Sequence, residues 1–293
     1  MEIFVDSADI DEIRKAREYG MCDGVTTNPS LIKKAVSKLK AEGKLTDMES
    51  YVKAICEAAG KGKPVSLEVV SLDAEGMVKE GETLFAKFNP VAGNVVIKIP
   101  VSTSRDEKDA HYEGLKAIKA LSKKKIPVNA TLIMSPEQAL LAGKAGAKFV
   151  SPFAGRIDDF IRTKLGENFG KADYFPAEGK HKDGKPAGDN GISSGVELVR
   201  KTKEILDKYG FQTKIIAASL RNARQVREVA LAGTDIATIP FDVLEDMIKH
   251  PKTFEGIVKF SEDTVPEYLE IFSTEKKTGK PAADGAGQES DKI

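Results

Sequence analysis

The sequence predicts a single (β/α)8 barrel, and two features of the chain carry that prediction. Eight short runs rich in valine and isoleucine alternate with longer amphipathic segments over about 250 residues, the size of one such barrel. Several of the runs have no polar face, as is typical of parallel strands covered on both sides. A doubly wound open sheet is the alternative, but no GxGxxG sequence follows the first run.

The individual elements follow from this alternation. The predicted strands are Ile3–Asp6, Gly24–Thr27, Val65–Val70, Val95–Ile99, Val128–Ile133, Lys148–Pro152, Thr213–Ser219 and Asp235–Ile239. Predicted helices between them include Ala8–Tyr19, Asp109–Leu121, Pro136–Ala145, Val196–Tyr209 and Asn222–Ala232. The first of these helices should be capped by the Ser7 hydroxyl and should end at Gly20.

Two segments fall outside the alternating pattern. Gly166–Gly195 is polar and rich in glycine, lysine and aspartate, so we expect a long loop after the sixth strand and helix, either a mobile lid or a surface excursion. Residues 273–293 lack apolar periodicity and are expected to form a disordered tail. The barrel should therefore occupy residues 1–272, with an insertion at residues 166–195.

Composition limits the possible classes of function. Lys+Arg and Asp+Glu both number 45, and this zero net charge disfavours a nucleic-acid-binding protein. The chain shows neither a signal-peptide pattern nor an apolar run long enough to span a membrane. Cys22 and Cys56 form no disulfide framework, which favours reduced thiols and a cytoplasmic location. His111, His181 and His250 are scattered, so no metal site is expected.

Polar residues recur at the carboxyl ends of the predicted strands, where the active sites of barrel enzymes lie. They are Asp6, Thr26, Thr27, Asn28, Glu68, Lys98, Asn129, Thr131, Ser151 and Ser219. Singly, each has an ordinary structural explanation. Asp6 could cap the first helix and Ser30 the second, while Glu68 and Lys98 could form a structural ion pair. Together, so many polar groups in one barrel mouth would be costly to bury without a use, which favours an active site.

Lys98 lies in the apolar run NVVIKIP, and its chemistry there is specific. Burial among Val96, Ile97 and Ile99 disfavours the charged ammonium form. The neutral amine can attack a carbonyl to form a Schiff base, whose protonated imine stabilises an adjacent carbanion. An aspartate across the pocket can then remove a hydroxyl proton, so that the neighbouring carbon–carbon bond breaks. The pattern therefore predicts metal-free aldol chemistry with Lys98 as the nucleophile.

A phosphate site is predicted from two segments that follow strands. SPFAGR, from Ser151 to Arg156, offers a hydroxyl, a glycine and an arginine, and ASLRN offers Ser219 and Arg221 at the start of a helix. Arginine binds phosphate in a bidentate manner, and helix N-termini attract anions. Each arginine could be a solvated loop charge, but two such segments on adjacent strands favour anion binding.

Taken together, these segments resemble the transaldolase family. FVDSA, GVTTNPSLI, VIKIP, VNATLI, VSPFAGRIDD and ASLRN occur in the family's order from Met1 to about Phe272, apart from the insertion. The resemblance implies a (β/α)8 barrel whose fourth strand carries the Schiff-base lysine, where Lys98 falls. It also implies a reaction that moves a dihydroxyacetone unit from sedoheptulose 7-phosphate or fructose 6-phosphate to glyceraldehyde 3-phosphate or erythrose 4-phosphate. This is a step of the non-oxidative pentose phosphate pathway and uses no cofactor.

The resemblance further implies a role for each candidate residue. Asp6 matches the acid–base residue at the C4 hydroxyl, and Glu68 and Thr131 match the pair that positions a catalytic water. The remaining matches are substrate contacts: Asn28 and Asn129 to the dihydroxyacetone fragment, Ser151 beside the sugar chain, and Arg156, Ser219 and Arg221 to the phosphate. Short family members form rings in which the last helix reaches a neighbour. Pro251–Phe272 could do so here, and we expect a homo-oligomer.

Three alternative functions stay open. Fructose 6-phosphate aldolases release free dihydroxyacetone, but they carry glutamine where Glu68 stands and tyrosine where Phe153 stands. Phe153 should therefore favour transfer, unless it is only a core aromatic. Deoxyribose-phosphate-type aldolases resemble this sequence less at VTTNPS and ASLRN. A non-catalytic sugar-phosphate-binding barrel is disfavoured because Lys98, Asp6 and Glu68 are all present.

Overall fold

Eight parallel strands close into a barrel in the computed structural model, which describes residues 1–44, 47–106 and 111–273. The strands are β1 (Glu2–Asp6), β2 (Gly24–Thr26), β3 (Val65–Glu68), β4 (Val95–Pro100), β5 (Val128–Ile133), β6 (Phe149–Pro152), β7 (Lys180–Lys182), β8 (Lys185–Ala187), β9 (Lys214–Ala217) and β10 (Ile236–Ile239). The strands β7 and β8 pair with each other outside the barrel, antiparallel. The other eight close the barrel in the order β1-β10-β9-β6-β5-β4-β3-β2. The predicted (β/α)8 architecture is confirmed.

Helices connect the strands and cover the barrel. They are α1 (Ile10–Glu18), α2 (Pro29–Ala41), α3 (Met48–Ala59), α4 (Ala74–Ala92), α5 (Glu113–Lys123), α6 (Pro136–Ala145), α7 (Ala154–Leu165), α8 (Gly195–Lys208), α9 (Ala223–Leu231), α10 (Phe241–Met247), α11 (Pro251–Glu262) and α12 (Pro266–Leu269). A short 3-10 helix, Glu270–Phe272, follows. Each helix from α1 to α10 buries residues on one side, and the main apolar core lies between these helices and the strands.

The start of α1 differs from the prediction. Asp9, not Ser7, is the cap, because its carboxylate accepts a hydrogen bond from the backbone N–H of Asp11 at 2.9 Å. Ser7 donates instead to Glu12 Oε2 at 2.5 Å and accepts from the backbone N–H of Asp9. Serine and aspartate are both good caps, and Ser7 and Asp9 are only two residues apart, so residue type alone does not show which of them caps the helix.

The starts of two further helices also differ from expectation. Asn28, not Ser30, caps α2, since its Oδ1 accepts from the backbone N–H of Leu31 at 3.0 Å. Ser30 is already inside the helix. The described part of α5 begins at Glu113, and the predicted start at Asp109 lies outside the described residues.

An apolar layer fills the barrel interior beneath the carboxyl ends of the strands. It consists of Phe4, Val96, Phe149, Ile216 and Ile236, all buried. Gly24 packs on this layer, where a Cβ would lie 2.6 Å from the Phe4 ring. Side chains alternate along a strand, so the residues two positions further on also face inward. They are Asp6, Lys98, Ser151, Ala218 and Thr238. The polar groups at the mouth therefore lie above an apolar floor.

The insertion folds against α7 and α8. Its strands β7 and β8 form a hairpin. Its Phe175 and Ile192 are buried in one cluster with Ile157 and Ile161 of α7 and Leu198 of α8. The insertion therefore has apolar anchors that its polar composition did not indicate.

The chain divides into two compact units, Met1–Ile248 and Lys249–Ile293. Within the described residues, the second unit consists of α11, α12 and the 3-10 helix, and none of the residues in these helices is buried. Residues 274–293 of the expected tail lie outside the described part of the chain. No described helix is both long enough and apolar enough to cross a membrane.

Candidate active site

A cavity of about 880 Å³ opens at the carboxyl ends of the barrel strands. The predicted site residues that line it are Asp6, Asn28, Glu68, Lys98, Thr131, Ser151, Phe153, Arg156, Ser219 and Arg221. Asn129 is not among the lining residues. The cavity therefore brings together a lysine, two carboxylates and two arginines that lie far apart in the sequence.

Lys98 is deeply buried, and its ammonium group has two close protein contacts. Its side chain is 6% exposed, and its Nζ lies 3.1 Å from Glu68 Oε2. The same nitrogen donates to the carbonyl oxygen of Thr27 at 3.1 Å. The register of β3 and β4 places Glu68 directly beside Lys98, so the lysine is paired, as the ion-pair interpretation of the sequence allowed. Glu68 is thus within proton-transfer distance of the amine.

Asp6 ends β1 and belongs to a chain of hydroxyl groups. Thr26 Oγ1 donates to Asp6 Oδ1 at 2.7 Å and lies 2.5 Å from Thr238 Oγ1. Because Thr26 has one hydroxyl hydrogen, Thr238 must donate to it. Burial raises the pKa of the Asp6 carboxyl, although the Thr26 hydrogen bond and the charge of Lys98 oppose the shift. Asp9 caps α1, so Asp6 is free of the capping role.

Thr131 presents a buried hydroxyl to the cavity. The residue is fully buried, and its Oγ1 has no hydrogen-bond partner among the described residues. The backbone is irregular here, since the pairing of β5 with β6 shifts register between Ala130 and Ile133 and Leu132 has φ +57°. An unpartnered buried hydroxyl is costly, and this one is available to a substrate or a water molecule.

Asn129 lies below the cavity and supports one of the residues that line it. Ser151 Oγ donates to Asn129 Oδ1 at 2.8 Å, and Asn129 Nδ2 donates to Ser66 Oγ at 3.2 Å. This fully buried amide therefore joins β3, β5 and β6. Asn28 does reach the cavity, with its Oδ1 used to cap α2.

Two arginines line the cavity. Arg156 lies in the first turn of α7, and its guanidinium carbon is 5.3 Å from the centre of the Phe153 ring. Arg221 Nη2 donates to Asp159 Oδ2 at 2.9 Å, whereas its buried Nε has no partner among the described residues. Each guanidinium group has five N–H donors, so both arginines could donate further hydrogen bonds to an anion.

The loop that carries Ser219 and Arg221 packs closely against the first turn of α7, which carries Arg156. Ser219 adopts the left-handed conformation, φ +61°. Gly155 approaches it so closely that a Cβ on Gly155 would lie 2.1 Å from the Ser219 carbonyl oxygen. Gln225 accepts from the backbone N–H of Arg221 at 2.9 Å and donates to Asp158 at 2.7 Å. These contacts fix the two arginine-bearing loops relative to each other.

Asp158 is a buried carboxylate behind the cavity. It accepts hydrogen bonds from the backbone N–H of Gly195 and from Gln225, both at 2.7 Å. Burial raises the pKa of this carboxyl to about 7, against the opposing effect of these donors. Asp158 thereby joins α7 to the first residue of α8 and to α9.

Comparison with known proteins agrees with this geometry. Residues 3–284 match the family model described as transaldolase/fructose-6-phosphate aldolase. The chain belongs to this family. A probable transaldolase of Prosthecochloris aestuarii is 42% identical over 263 residues, which cover 90% of this chain and 97% of the relative. One of Aquifex aeolicus is 42% identical over 269 residues, covering 91% and 99%. The transaldolase family resemblance read from the motifs is confirmed.

Sequence reasoning missed four residues that shape the site of this transaldolase/fructose-6-phosphate aldolase family member. Thr238 and Gln225 act through hydrogen bonds to Thr26 and to the backbone of Arg221. Asp159 and Lys171 contribute charge, and Lys171 comes from the insertion. The alternation of side chains in β10 could have indicated Thr238. Asp159 lies within the quoted motif VSPFAGRIDD, but its contact with Arg221 was not evident from the motif. Gln225 and Lys171 reach the site only through contacts between distant segments, for which no short motif exists.

Proposed function

We propose that this chain is a transaldolase, which transfers a dihydroxyacetone unit between sugar phosphates through a Schiff base on Lys98. The observation that carries the proposal is the buried Lys98 amine at the cavity, with the Glu68 carboxylate 3.1 Å away. A structural ion pair alone would not require a cavity lined by Asp6, Thr131 and two arginines.

The first half of the proposed reaction forms the imine. The Lys98 amine attacks C2 of the ketose phosphate, and the resulting carbinolamine loses water. Glu68 takes a proton from the nitrogen and returns it to the departing hydroxyl through a water molecule held with the Thr131 hydroxyl. The short Glu68–Lys98 distance and the unpartnered Thr131 Oγ1 support these roles.

The second half breaks and remakes a carbon–carbon bond. Asp6 removes the proton of the C4 hydroxyl, the C3–C4 bond breaks, and its electron pair moves into the protonated imine to give an enamine. The aldose phosphate leaves with the new aldehyde. An acceptor aldose phosphate then enters, the enamine carbon attacks its aldehyde, and Asp6 returns the proton. The raised pKa of Asp6 supports this role, because a general base works best when its pKa approaches the working pH.

The substrate contacts follow from the positions of the remaining groups. Arg156, Ser219 and Arg221 would bind the phosphate, and the position of all three in the cavity lining supports this assignment. Asn28 and Ser151 would contact the sugar hydroxyls. Asn129 would act on the dihydroxyacetone fragment through Ser151, whose hydroxyl it accepts.

Transfer rather than release is favoured by Glu68 and Phe153. Release of free dihydroxyacetone needs a proton at the enamine carbon and then a water molecule at the imine, and a hydroxyl at position 153 could donate the proton and position the water. The Phe153 ring has no hydroxyl and lies against the Arg156 guanidinium at the cavity wall. We therefore keep fructose 6-phosphate aldolase only as the alternative.

We further propose that the protein is a cytoplasmic homo-oligomer acting in the non-oxidative pentose phosphate pathway. Cys22 and Cys56 are free and buried thiols, which supports a reducing compartment. The second unit exposes large apolar side chains, including Phe254 at 72% and Phe260 at 73%. A second copy of the chain would cover them.

Two measurements test the proposal. Borohydride with fructose 6-phosphate should add a reduced dihydroxyacetone fragment to the peptide that contains Lys98, and to no other lysine peptide. Fructose 6-phosphate mixed with erythrose 4-phosphate should yield sedoheptulose 7-phosphate and glyceraldehyde 3-phosphate. An unmodified Lys98 in active protein would refute the mechanism. Free dihydroxyacetone as the main product would favour the aldolase alternative. If the protein neither transfers dihydroxyacetone to an acceptor nor releases it, a non-catalytic binding protein would be favoured.

A further inference from the structure

The insertion reaches the candidate active site through one of its lysines. Lys171 and Ala172 line the cavity together with the barrel residues. The segment next to Lys171 is held in place, since Asn222 Nδ2 donates to the Ala172 carbonyl oxygen at 3.1 Å. Two residues further on, the ring of Tyr174 stacks under the Arg224 guanidinium, 3.6 Å from its carbon. Both anchors lie at the beginning of α9, directly after the loop that carries Ser219 and Arg221.

The charge of Lys171 is not neutralised by a nearby carboxylate. Among the described residues, no Asp or Glu oxygen lies within 4.0 Å of the Lys171 ammonium, whereas Arg221 is paired with Asp159 and Lys98 with Glu68. Lys171 is nevertheless near the catalytic groups. Burial raises the pKa of Asp6, and the charge of Lys171 opposes that rise, as the charges of Lys98 and Arg221 do. An exposed, uncommitted ammonium at the mouth of a cavity is available to an anionic ligand.

We propose that Lys171 is a specificity-determining residue that binds the phosphate group of the substrate, as a third cation beside Arg156 and Arg221. This inference rests on the proposed function for the identity of the ligand, a sugar phosphate. The three cations are carried by different segments, since Arg156 begins α7, Arg221 precedes α9 and Lys171 belongs to the insertion. The insertion therefore extends the anion site, and it does so from a segment fixed by contacts to α9.

The assignment has a physical basis in the charge of the ligand. A phosphate ester carries close to two negative charges at neutral pH. Arg221 shares its charge with Asp159, so Arg156 and Arg221 alone leave part of the ligand charge unbalanced. A lysine adds a mobile point charge with three donors, which tightens phosphate binding.

The experiment compares Lys171→Gln with Lys185→Gln as the matched control. Lys185 lies in β8 of the same insertion, is exposed and does not line the cavity, so its replacement removes the same charge elsewhere. Calorimetry with inorganic phosphate should show roughly tenfold weaker binding for Lys171→Gln, the usual effect of one charged hydrogen bond. Lys185→Gln should bind like the wild type, and Lys171→Arg should restore most of the affinity.

A kinetic readout separates this inference from the proposed function. In Lys171→Gln, KM for fructose 6-phosphate should rise by a larger factor than kcat falls, and the borohydride adduct of Lys98 with free dihydroxyacetone should form as in the wild type. Equal phosphate affinities for the Lys171 and Lys185 variants, or a wild type that does not bind phosphate, would overturn the inference. If the wild type transfers no dihydroxyacetone but phosphate binding depends on Lys171, the proposed function fails and the anion site stands. If transfer is observed and phosphate binding does not depend on Lys171, the proposed function stands and the inference about Lys171 fails.

Discussion

At the scale of single residues, the environment of Asp6 explains why a strand-end carboxylate can serve as a base. Hydrogen bonds from Thr238 to Thr26 and from Thr26 to Asp6 fix one oxygen of the Asp6 carboxylate. The other oxygen accepts none of these bonds, and Asp6 lines the cavity. Burial raises the pKa of Asp6, so the folded protein holds the proton more tightly than the unfolded chain does. The stability that this gives is fully present below the ordinary pKa of aspartate and is lost as the pH rises through the folded value. Ionised Asp6 is therefore costly for folding, and it is the form that the proposed mechanism requires.

Asp6→Asn should reduce turnover by roughly 10²–10⁴, the usual contribution of a general base. The melting temperature should not fall at neutral pH, because asparagine removes the cost of a buried charge. The variant should gain in melting temperature relative to the wild type as the pH is raised from about 4 to 8. Asp9→Ala serves as the control for a lost helix cap, and it should lower the melting temperature. A destabilised Asp6→Asn with normal turnover would show that Asp6 is structural.

Phe153 is expected to decide what happens to the enamine on Lys98. Phe153→Tyr introduces a hydroxyl beside the reacting carbon, which can position water and move a proton. Release of free dihydroxyacetone from fructose 6-phosphate should rise relative to transfer, measured with and without erythrose 4-phosphate. Phe153→Leu is the matched control, since it removes the ring without adding a hydroxyl, and it should not increase release. The interpretation fails if the wild type, without acceptor, releases dihydroxyacetone as fast as it transfers it.

At the scale of elements, the loops after β6 and β9 form one unit that shapes the phosphate end of the site. Gly155 allows the Ser219 carbonyl to approach α7, and Gln225 connects Asp158 to the backbone of Arg221. A change in one loop must therefore displace the other. This interdependence is invisible in the separate motifs SPFAGR and ASLRN, although each motif was correctly placed at a strand end.

Gly155→Ala tests that coupling. A Cβ 2.1 Å from the Ser219 carbonyl oxygen cannot be accommodated without moving a backbone, so stability should fall by about 1–3 kcal/mol. Because Ser219 and Arg221 would move, KM for fructose 6-phosphate should rise about tenfold or more. The borohydride adduct of Lys98 with free dihydroxyacetone should form as in the wild type. Unchanged melting temperature and KM would mean that the two loops move independently.

At the scale of the whole molecule, regular periodicity made the fold predictable. Alternation of apolar runs and amphipathic helices identified the eight barrel strands, and the polar residues predicted at the strand ends line one cavity at the barrel mouth. Asp6, Glu68 and Lys98 were predicted as site residues because charged residues are unusual in buried strands, and they stay a prediction. Helix starts were less predictable, since Ser7 and Asp9 are equally good caps. The insertion was the hardest segment, because Phe175 and Ile192 are isolated apolar residues in a polar stretch and their burial depends on α7 and α8.

The exposed apolar side chains of α11 predict that the molecule assembles with further copies of itself. In α11, Phe254, Ile257 and Phe260 are 72%, 61% and 73% exposed, and burying such a side chain contributes about 1.5–3 kcal/mol. A monomer would leave this apolar surface in water, which is unusual for a soluble single chain. Light scattering of the wild type at micromolar concentration should therefore give a multiple of the mass of one chain.

Phe254→Glu should shift this mass toward that of a single chain, because a carboxylate cannot be buried in an apolar contact without a large cost. Thr253→Glu is the matched control, since it adds the same charge at the neighbouring exposed polar position. It should leave the mass unchanged. Far-ultraviolet circular dichroism of both variants should match the wild type, which separates lost assembly from lost folding. A wild type that scatters as one chain would refute the homo-oligomer, and equal masses for both variants would mean that Phe254 lies outside the contact between copies.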